Sequence, residues 1–398
     1  MNRRIGIRPA RCAVCKGVFF MNYGMDMTQI NDALTQTAAC ASEIAYDKAN
    51  GLVFVSYKTG LRKRYGESTG KLCLSVFSPS QPHNVRHRVI DVGVGESRGL
   101  LCNANYIVGD GKNRMIFTTT KGELAAFYRD YDFYKDKVSD RVEVLLRTEN
   151  GDIRLNLDSY RAYLARYGLR IEGNSHPIIN KVTRYKGELY TAISYDATGY
   201  PILCKIEDNV LVPFAVCPEP MTYEFRYFIN DDGIFGMYRF PPDDNGTGHA
   251  AYTVSKDGGA TWNTTVFEDG IQSRPDIMEY YGKPLIIYNY KSDQSIENWP
   301  IMHHFRNSIK MIYDGRVIFD WFTKYGIVEH ETVSICGDLY MVFSNCPQAL
   351  STENGGAWLE CGHYVEQGKE AIQWAKIGYL LDEKKLFEPI PPRSVKMN

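Results

Sequence analysis

Six segments of the chain repeat one pattern: a polar or charged residue, an apolar run, a turn containing glycine and a second apolar run. The clearest copies are SHPIINKVTRYKGELYTAISY, SRPDIMEYYGKPLIIYNY and EHETVSICGDLYMVFSN, and the looser ones are SEIAYDKANGLVFVSYKTG, CNANYIVGDGKNRMIFTTT and FRYFINDDGIFGMYRF. Because glycine readily adopts the positive φ that tight hairpin turns require, each copy predicts two antiparallel strands joined by a turn.

The spacing of the copies predicts how these strand pairs are arranged. The copies begin near residues 42, 103, 175, 225, 273 and 329, and most are followed by further short strands. One such unit cannot bury both faces of its sheet, so neighbouring units must stack around an axis. We therefore predict an all-β fold, a six-bladed β-propeller that forms a single domain over residues 1–398.

Two features of the propeller prediction remain open. Residues 1–40 form a closure segment, within which residues 5–20 are expected to supply the outer strand of the last blade. The register of this segment leaves seven blades as an alternative to six. A β-sandwich, or two small β domains, is the alternative in which the similarity between the copies has no structural meaning.

One segment departs from the strand pattern. Residues 157–171 place Leu157, Tyr160, Leu164, Tyr167 and Leu169 at near-helical spacing, and Asn156 or Asp158 is positioned to cap the N-terminus. We expect a single short helix inserted between the second and third blades.

Composition and charge exclude several function classes. A formal net charge of −1 gives no electrostatic signal for nucleic acid or an anionic membrane surface, so neither is an expected partner. No apolar run reaches the length of a membrane span. The ten cysteines contain one CxxC, Cys12 and Cys15, with no second pair at zinc-site spacing. No metal or cofactor is therefore expected.

The basic N-terminal segment lacks a clean apolar stretch followed by a cleavage site, which predicts a cytoplasmic protein. A periplasmic or secreted location would require a different start codon. The sequence leaves the oligomeric state open.

The stretch SKDGGATW, from Ser255 to Trp262, carries the most specific local signal. The side chains of Ser255 and Asp257 can accept bonds from nearby backbone N–H groups, and glycine permits the left-handed residue of a turn. The stretch therefore predicts a rigid turn between two strands. It resembles the Asp box, or bacterial neuraminidase repeat, of the sialidase-like propellers. In that family the boxes lie at the blade periphery, so the resemblance implies a fold and leaves the chemistry open.

In a propeller, the first strand of each blade places its opening residues near one end of the axis, where ligands commonly bind. The six copies put polar and charged residues at these positions: Glu43, Asn103 or Asn105, His176, Arg226, Arg274, and Glu329 with His330. Arginines that converge on one point can hold a carboxylate through paired hydrogen bonds. These residues are the candidate site.

The resemblance to sialidases implies roles for some of them. Sialidases hold the carboxylate of an acidic sugar with an arginine cluster, and Arg226, Arg274 and Arg98 are the positions that match. Asn105 joins them as a candidate substrate-binding residue. A tyrosine activated by a glutamate is the nucleophile in that family, and Tyr325 with Glu329 or Glu224 corresponds to that pair. Where sialidases carry an Arg-Ile-Pro phrase in the first blade, this chain reads SEIAY, with Glu43 as a further candidate catalytic residue.

These observations lead to three functional hypotheses. The first is a sialidase-like glycoside hydrolase that acts on a glycan containing an acidic sugar. The second is a uronate-directed polysaccharide lyase, in which His176 or His330 abstracts a proton and a tyrosine protonates the leaving oxygen. The third is a propeller that binds glycans without catalysis. In all three the expected partner is an anionic carbohydrate, because arginines can pair with its carboxylate.

Overall fold

The computed structural model describes residues 27–31, 40–59, 71–90, 100–119, 125–173, 177–195, 199–220, 224–240, 249–270, 273–290, 308–322, 325–347, 357–358, 364–365 and 371–378. Within them the chain forms thirty strands and one helix. Of these described elements, no helix is long and apolar enough to cross a membrane.

Six sheets, each formed mainly by strands consecutive in sequence, account for nearly all of these strands. The first strand, β1 (Met27–Gln29), belongs to the last sheet. The first sheet has the order β2-β3-β4-β5 and the second β6-β7-β8-β10, with β9 paired to β8. Their strands are β2 Cys40–Asp47, β3 Leu52–Thr59, β4 Lys71–Phe77, β5 Arg86–Ile90, β6 Leu100–Gly109, β7 Lys112–Thr119, β8 Ala125–Asp132, β9 Lys137–Val138 and β10 Val142–Glu143.

The third sheet is the largest, with the order β12-β11-β17-β16-β15-β13 and β14 paired to β15. Its strands are β11 Leu145–Thr148, β12 Gly151–Arg154, β13 Pro177–Ile179, β14 Thr183–Tyr185, β15 Glu188–Tyr195, β16 Ile202–Glu207 and β17 Val210–Val216. The fourth sheet runs β18-β19-β20-β21. Its strands are β18 Phe225–Asn230, β19 Gly233–Phe240, β20 His249–Ser255 and β21 Asn263–Phe267.

The fifth sheet runs β22-β23-β24-β25, and the sixth runs β26-β27-β30-β1. Their strands are β22 Asp276–Tyr280, β23 Lys283–Asn289, β24 Ser308–Tyr313, β25 Arg316–Phe322, β26 Tyr325–Ile335, β27 Asp338–Pro347 and β30 Ala371–Lys376. A separate hairpin joins β28 (Ala357–Trp358) to β29 (Tyr364–Val365).

The six repeated segments form the first strand pairs of the six sheets. In each copy the two apolar runs pair antiparallel, as the glycine turns predicted. The turns Lys186–Gly187 and Tyr281–Gly282 have positive φ at both residues, which is the requirement of a type I′ hairpin.

The sheets are arranged in a ring. The first strands contact one another in the order β2, β6, β13, then β14 and β15 to β18, β22, β26 and back to β2. Apolar side chains of neighbouring sheets pack between them, as in the cluster that joins Phe54 and Leu74 of the first sheet to Phe117 and Phe127 of the second. The fold is a β-propeller, and six sheets agree with the predicted blade count.

The ring closes through β1. Met27–Gln29 pairs antiparallel with Gln373–Ala375 of β30 and completes the last sheet from the other end of the chain. Residues 5–20, which were expected to supply this strand, lie outside the described residues. Met27–Gln29, which belongs to the same closure segment of residues 1–40, holds the outer place among the described strands of the last sheet.

The single helix, α1, spans Leu157–Ala165. Its cap is Asn156, whose Oδ1 accepts a bond from the Ser159 backbone N–H at 2.9 Å. The predicted end at residue 171 is wrong, because Gly168 has a φ of +70° and the Leu169 N–H donates back to the Leu164 carbonyl. A glycine in the left-handed region is a common helix terminator. The buried face of α1 packs between the second and third sheets.

Candidate functional site on the propeller axis

Two arginines from neighbouring sheets hold one carboxylate at the centre of the ring. Arg226, in β18, donates from Nη1 to Glu43 Oε2 at 2.7 Å and from Nη2 to Glu43 Oε1. Arg274, just before β22, donates from Nη1 to Glu43 Oε1 at 2.9 Å. All three residues are buried. Glu43 belongs to β2, so the contact joins the first, fourth and fifth sheets.

The second terminal nitrogen of Arg274 binds backbone carbonyls at the junction of the first and last sheets. Its Nη2 donates to the Ser42 carbonyl at 2.8 Å and to the Glu329 carbonyl. The Ser42 hydroxyl also donates to the Glu329 carbonyl, at 3.3 Å. Arg274 therefore fixes the place where β2 lies beside β26.

A lysine and two further carboxyl groups complete the centre. Lys181, which follows β13, donates from Nζ to Asp276 Oδ1 at 2.9 Å and lies 3.3 Å from Glu331 Oε1. The backbone N–H of Ile44 donates to Glu331 Oε2 at 2.9 Å, and that of Thr332 donates to Asp276 Oδ2 at 2.7 Å. We call the six side chains the axial cluster: Glu43, Lys181, Arg226, Arg274, Asp276 and Glu331. Three are cationic and three carry carboxyl groups.

Irregularities in the first strands aim these side chains at the axis. In β2 one extra residue lies between the pairs Cys40–Lys58 and Glu43–Ser56, and in β26 one lies between Val328–Ser344 and Glu331–Val342. A one-residue bulge moves the following side chains to the other face of a strand. Glu43 and Glu331 follow directly after these two bulges. Glu329, inside the second bulge, has a φ of +47°, which is strained for a residue other than glycine.

The cluster separates the proton affinities of its two glutamates. Burial raises the pKa of Glu43, but the charges of Arg226 and Arg274 outweigh it and lower the pKa to about 2. Burial raises the pKa of Glu331 to about 8, and the neighbouring Glu43 carboxylate adds to the shift against the attraction of Lys181. At neutral pH, Glu43 is therefore ionised and Glu331 is largely protonated.

The structure brings together Glu43, Arg226 and Arg274 from the predicted set. Asn105 lies beside them, and its Nδ2 donates to the Glu43 carbonyl and to the Ser56 hydroxyl, both at 3.0 Å. Its amide therefore ties the first and second sheets together. The roles predicted for these four residues stay predictions.

Four predicted residues cannot be placed by side chain, and one of them is Asn103 in β6, whose side chain is outside the described part. Arg98 and His176 lie outside the described residues. Tyr325 pairs with Pro347 at the start of β26, but its side chain is outside the described part. The backbone carbonyl of Glu329 accepts a bond from Arg274. The side-chain Oε2 of Glu329 is buried with no hydrogen-bond partner among the described residues.

His330 lies at the axis in an environment unlike the open funnel that was expected. The residue is fully buried in β26, and its carbonyl lies 3.4 Å from Arg274 Nη2. Burial lowers the pKa of the ring to about 3, with the charge of Arg274 acting in the same direction. The imidazole is neutral at neutral pH and a weak base. Its proposed catalytic role stays a prediction, and this environment disfavours it. Glu224, the alternative activating glutamate, instead pairs with Arg239 at 2.7 Å.

Sequence reasoning missed Lys181, Asp276 and Glu331. Asp276 could have been predicted from the sequence, because it follows Arg274 by two residues at the start of the same strand. Glu331 lies one residue beyond the predicted pair, a shift caused by the bulge in β26. Lys181 stands five residues after His176 and follows the short strand that the repeat predicts. No spacing rule applied to the sequence alone points to it.

The SKDGGATW stretch lies far out in the fourth sheet, at the turn from β20 to β21. Asp257 Oδ1 accepts from the Ser255 hydroxyl and the Thr261 N–H, both at 2.8 Å, and Oδ2 accepts from the Thr261 hydroxyl at 2.6 Å. The Trp262 Nε1 donates to the Gly259 carbonyl at 3.0 Å. The predicted turn is confirmed, and none of its side chains belongs to the axial cluster.

Two surface cavities lie between the third and fourth sheets. One of about 380 Å³ borders Asp257–Ala260, and one of about 480 Å³ is lined by Tyr185, Tyr190 and Lys205. Phe214 borders both. Neither contains a residue of the axial cluster, so the chemistry of the described residues is concentrated at the axis rather than in these cavities. No group of side chains in the described part has the composition of a metal site.

Comparisons with known proteins support the fold. No family model matches the sequence, and no curated protein matches it. Among solved structures, the chain is similar to Trypanosoma rangeli sialidase in complex with sialic acid, with a TM-score of 0.52 and 10% identity over 87% of this chain and 55% of that one. It is similar to a mutant of the same sialidase with trans-sialidase activity, with a TM-score of 0.53, 10% identity and 88% and 55% coverage.

The chain spans about 55% of the length of these sialidases. A protein of unknown function from Dyadobacter fermentans is similar over its whole length, with a TM-score of 0.52, 10% identity, and coverage of 88% of this chain and 97% of that one. At this level of identity the likeness shows the fold alone. The chain has a sialidase-like β-propeller fold.

Proposed function

We propose that the protein is a glycoside hydrolase of the sialidase-like type that acts on a glycan containing an acidic sugar. Its site is the axial cluster and the end of the axis that this cluster faces. The sialidase-like fold supports a carbohydrate ligand, since a structural neighbour was solved with sialic acid bound.

The observation that carries the proposal is the pair of guanidinium groups on Glu43. Arg226 and Arg274 come from two different sheets and together make three hydrogen bonds to one carboxylate. Planar guanidinium groups in this arrangement form a receptor for a carboxylate, and charge-assisted bonds of this kind are about twice as strong as neutral ones. An acidic sugar presents the same group.

The two glutamates of the cluster support acid–base chemistry. Glycosidases need one carboxyl group that donates a proton and another that stays ionised. Glu331, with a pKa of about 8, is protonated at neutral pH, and Glu43, with a pKa of about 2, is ionised. Arg274 itself and residues next to cluster members in the sequence carry buried polar atoms without a partner among the described residues, and such atoms suit the hydroxyl groups of a sugar: Arg274 Nε, Ser273 Oγ and Thr332 Oγ1.

The test is turnover of a panel of sialosides, uronate-bearing oligosaccharides and neutral glycosides, with the products identified by mass. A hydrolase releases a sugar heavier by one water than the residue in the glycan. A lyase leaves an unsaturated sugar with the mass of the residue and new ultraviolet absorption. Release of the acidic sugar by hydrolysis supports the proposal, and the absence of turnover on the whole panel contradicts it.

The substitution Arg274→Ala should separate acidic from neutral ligands. Loss of the charge-assisted bonds should weaken binding of an acidic sugar roughly 10- to 100-fold, while a neutral analogue changes little. The measurement is a titration of both sugars with purified variants. Arg239→Ala is the matched control, since Arg239 is equally buried and pairs with Glu224 instead. Equal losses for both sugars would remove Arg274 from the ligand site.

A glycan-binding propeller without catalysis is the second candidate, and a specific observation favours it. Glu43 already engages both guanidinium groups, and the three residues are almost fully buried. Under this alternative the panel yields no product, while one of its glycans still binds. The uronate lyase receives less support from the described residues, because the ring of His330 is buried and weakly basic.

A further inference from the structure

The carboxylate of Glu43 occupies the position that a ligand carboxylate would need. Its Oε1 accepts from both Arg226 and Arg274, and its Oε2 accepts from the second terminal nitrogen of Arg226. These are the nitrogens that a bound acid would use for paired hydrogen bonds. The arginines that would bind a ligand carboxylate and the carboxylate that they already hold therefore belong to the same chain.

An internal occupant competes strongly with a free ligand. Glu43 lies on β2, whose backbone is held beside β26 by the bond from the Ile44 N–H to Glu331. A group fixed next to its partner acts at an effective concentration far above that of any free solute. Protonation does not release it near neutral pH, because the two arginines keep Glu43 ionised.

We propose that Glu43 is an internal ligand of the Arg226–Arg274 pair and that an acidic sugar binds this pair only by displacing the Glu43 side chain. The inference rests on the proposed function for the identity of the ligand, but its central statement concerns the carboxylate position itself. Glu43 then regulates the site, since it sets how tightly any carboxylate is held there.

The exchange is feasible in terms of charge. One carboxylate replaces another on the arginines, so the guanidinium groups are never left buried and unpaired, which would be the costly state. The displaced carboxylate has a second cation nearby, because Lys181 lies 3.3 Å from Glu331, whose other oxygen binds the backbone next to Glu43. The side chain moves within the cluster and stays near positive charge.

The experiment measures binding of acetate, the smallest carboxylate probe, and of N-acetylneuraminic acid to the full chain and to Glu43→Gln. Removing the internal carboxylate should tighten binding of acetate at least ~10-fold, the gain expected when two charge-assisted bonds become available. Acetate should also raise the melting temperature of the variant, whereas acetamide, which has the same shape without the charge, should not.

The matched control is Glu224→Gln. It makes the same change at a glutamate that is equally buried but paired with a single arginine, Arg239. This variant should gain no carboxylate binding. A gain of similar size in both variants would show that any buried arginine that loses its carboxylate partner binds acetate. That result would overturn the proposal.

Two further measurements cover a variant that does not fold. Glu43→Asp keeps the charge but withdraws the carboxylate by one methylene, so it should fold and bind acetate more tightly than the natural chain. Refolding of Glu43→Gln in acetate rather than chloride should restore the folded signal. If Glu43→Asp gains no binding and acetate restores nothing, the proposal is wrong. Both measurements are independent of turnover, so failure of the hydrolase proposal leaves them unaffected.

Discussion

The axial cluster and the turn at Ser255–Trp262 are each organised around a carboxylate that accepts several hydrogen bonds, yet they stabilise the chain in different ways. In the turn, every partner of Asp257 lies within four residues of it, and Asp257 sits at the surface. In the cluster, Glu43 is 183 positions from Arg226 and 231 from Arg274, and all three are buried. The turn organises one hairpin, whereas the cluster exists only when the whole ring has formed.

This difference decides what each region contributes. A local turn forms within one sheet and costs little chain entropy, so it mainly sets the shape of that sheet. A buried ion network repays the desolvation of its charges only when every partner is in place. The cluster therefore contributes specificity of assembly, and the loss of one partner should be felt across several sheets.

The largest effect is expected for Arg226→Met. This change leaves the Glu43 carboxylate buried with one arginine instead of two, and breaking a buried pair in this way costs about 3–5 kcal/mol. Arg147→Met is the matched control. Two nitrogens of Arg147 also donate to one carboxylate, that of Asp152, but this pair lies at the surface. The control should cost less than about 1 kcal/mol. Urea unfolding measures both, and equal costs would contradict the distinction.

A smaller effect is expected from pH. Between pH 4.5 and about 8 the folded chain keeps a proton on Glu331 that the unfolded chain releases, so stability falls as pH rises. His330 acts oppositely between about 3 and 6.5, because the unfolded chain binds its proton first. Between pH 6.5 and 8, Glu331 is the one group with a shifted pKa that titrates in the described part of the chain, so stability should fall by up to about 1.4 kcal/mol per pH unit.

Glu331→Gln tests the assignment of this pH dependence. The variant should flatten the dependence between pH 6.5 and 8 while the natural chain keeps its slope. Glu149→Gln changes an exposed glutamate and should leave the slope as it is. A slope unchanged in Glu331→Gln would show that another group titrates.

The last comparison lies within the peripheral turn, where two adjacent glycines provide an internal control, and Gly258→Ala has the smallest effect expected of these core and turn variants. Both have positive φ, but a Cβ on Gly259 would lie 2.4 Å from the Ala215 side chain, whereas a Cβ on Gly258 meets nothing within 4 Å. Gly258→Ala should cost about 1 kcal/mol for the backbone alone, and Gly259→Ala about 1–3 kcal/mol more for the clash with the third sheet. Thermal unfolding measures the difference, and equal losses would show that the turn does not pack on the third sheet.

The parts of the fold that depend on local patterns could be predicted from the sequence. The glycine turns and apolar runs located the first strand pair of each sheet, and Asn156 marked the start of the helix. The end of the helix could have been predicted from Gly168. A glycine in the left-handed conformation ends the helix despite the helical spacing of Tyr167 and Leu169.

The candidate site could be predicted only in part, because the bulges in β2 and β26 leave no clear mark in the sequence. Alternation along a strand predicts which residues share a face until one extra residue reverses it. The reversal brings Glu331 to the axis beside the predicted Glu43, whereas the repeat pattern predicts Glu329 and His330 at this position. That Glu43 holds both arginines also could not be foreseen, since pairing depends on distances between sheets that periodicity does not give.

Two sets of hydrogen bonds close the ring where the two ends of the described chain meet. At its outer edge the Ile30 N–H donates to Ile372 and the Ile372 N–H to Asn31, and at its inner edge the Ile44 N–H donates to Glu331. Both sets of bonds join segments that are far apart in the chain, so during synthesis the inner one cannot form until β26 has left the ribosome and the outer one until β30 has. Until β26 emerges, the first sheet has no neighbour on that side, although the arginines that pair with Glu43 come earlier, from the fourth and fifth sheets.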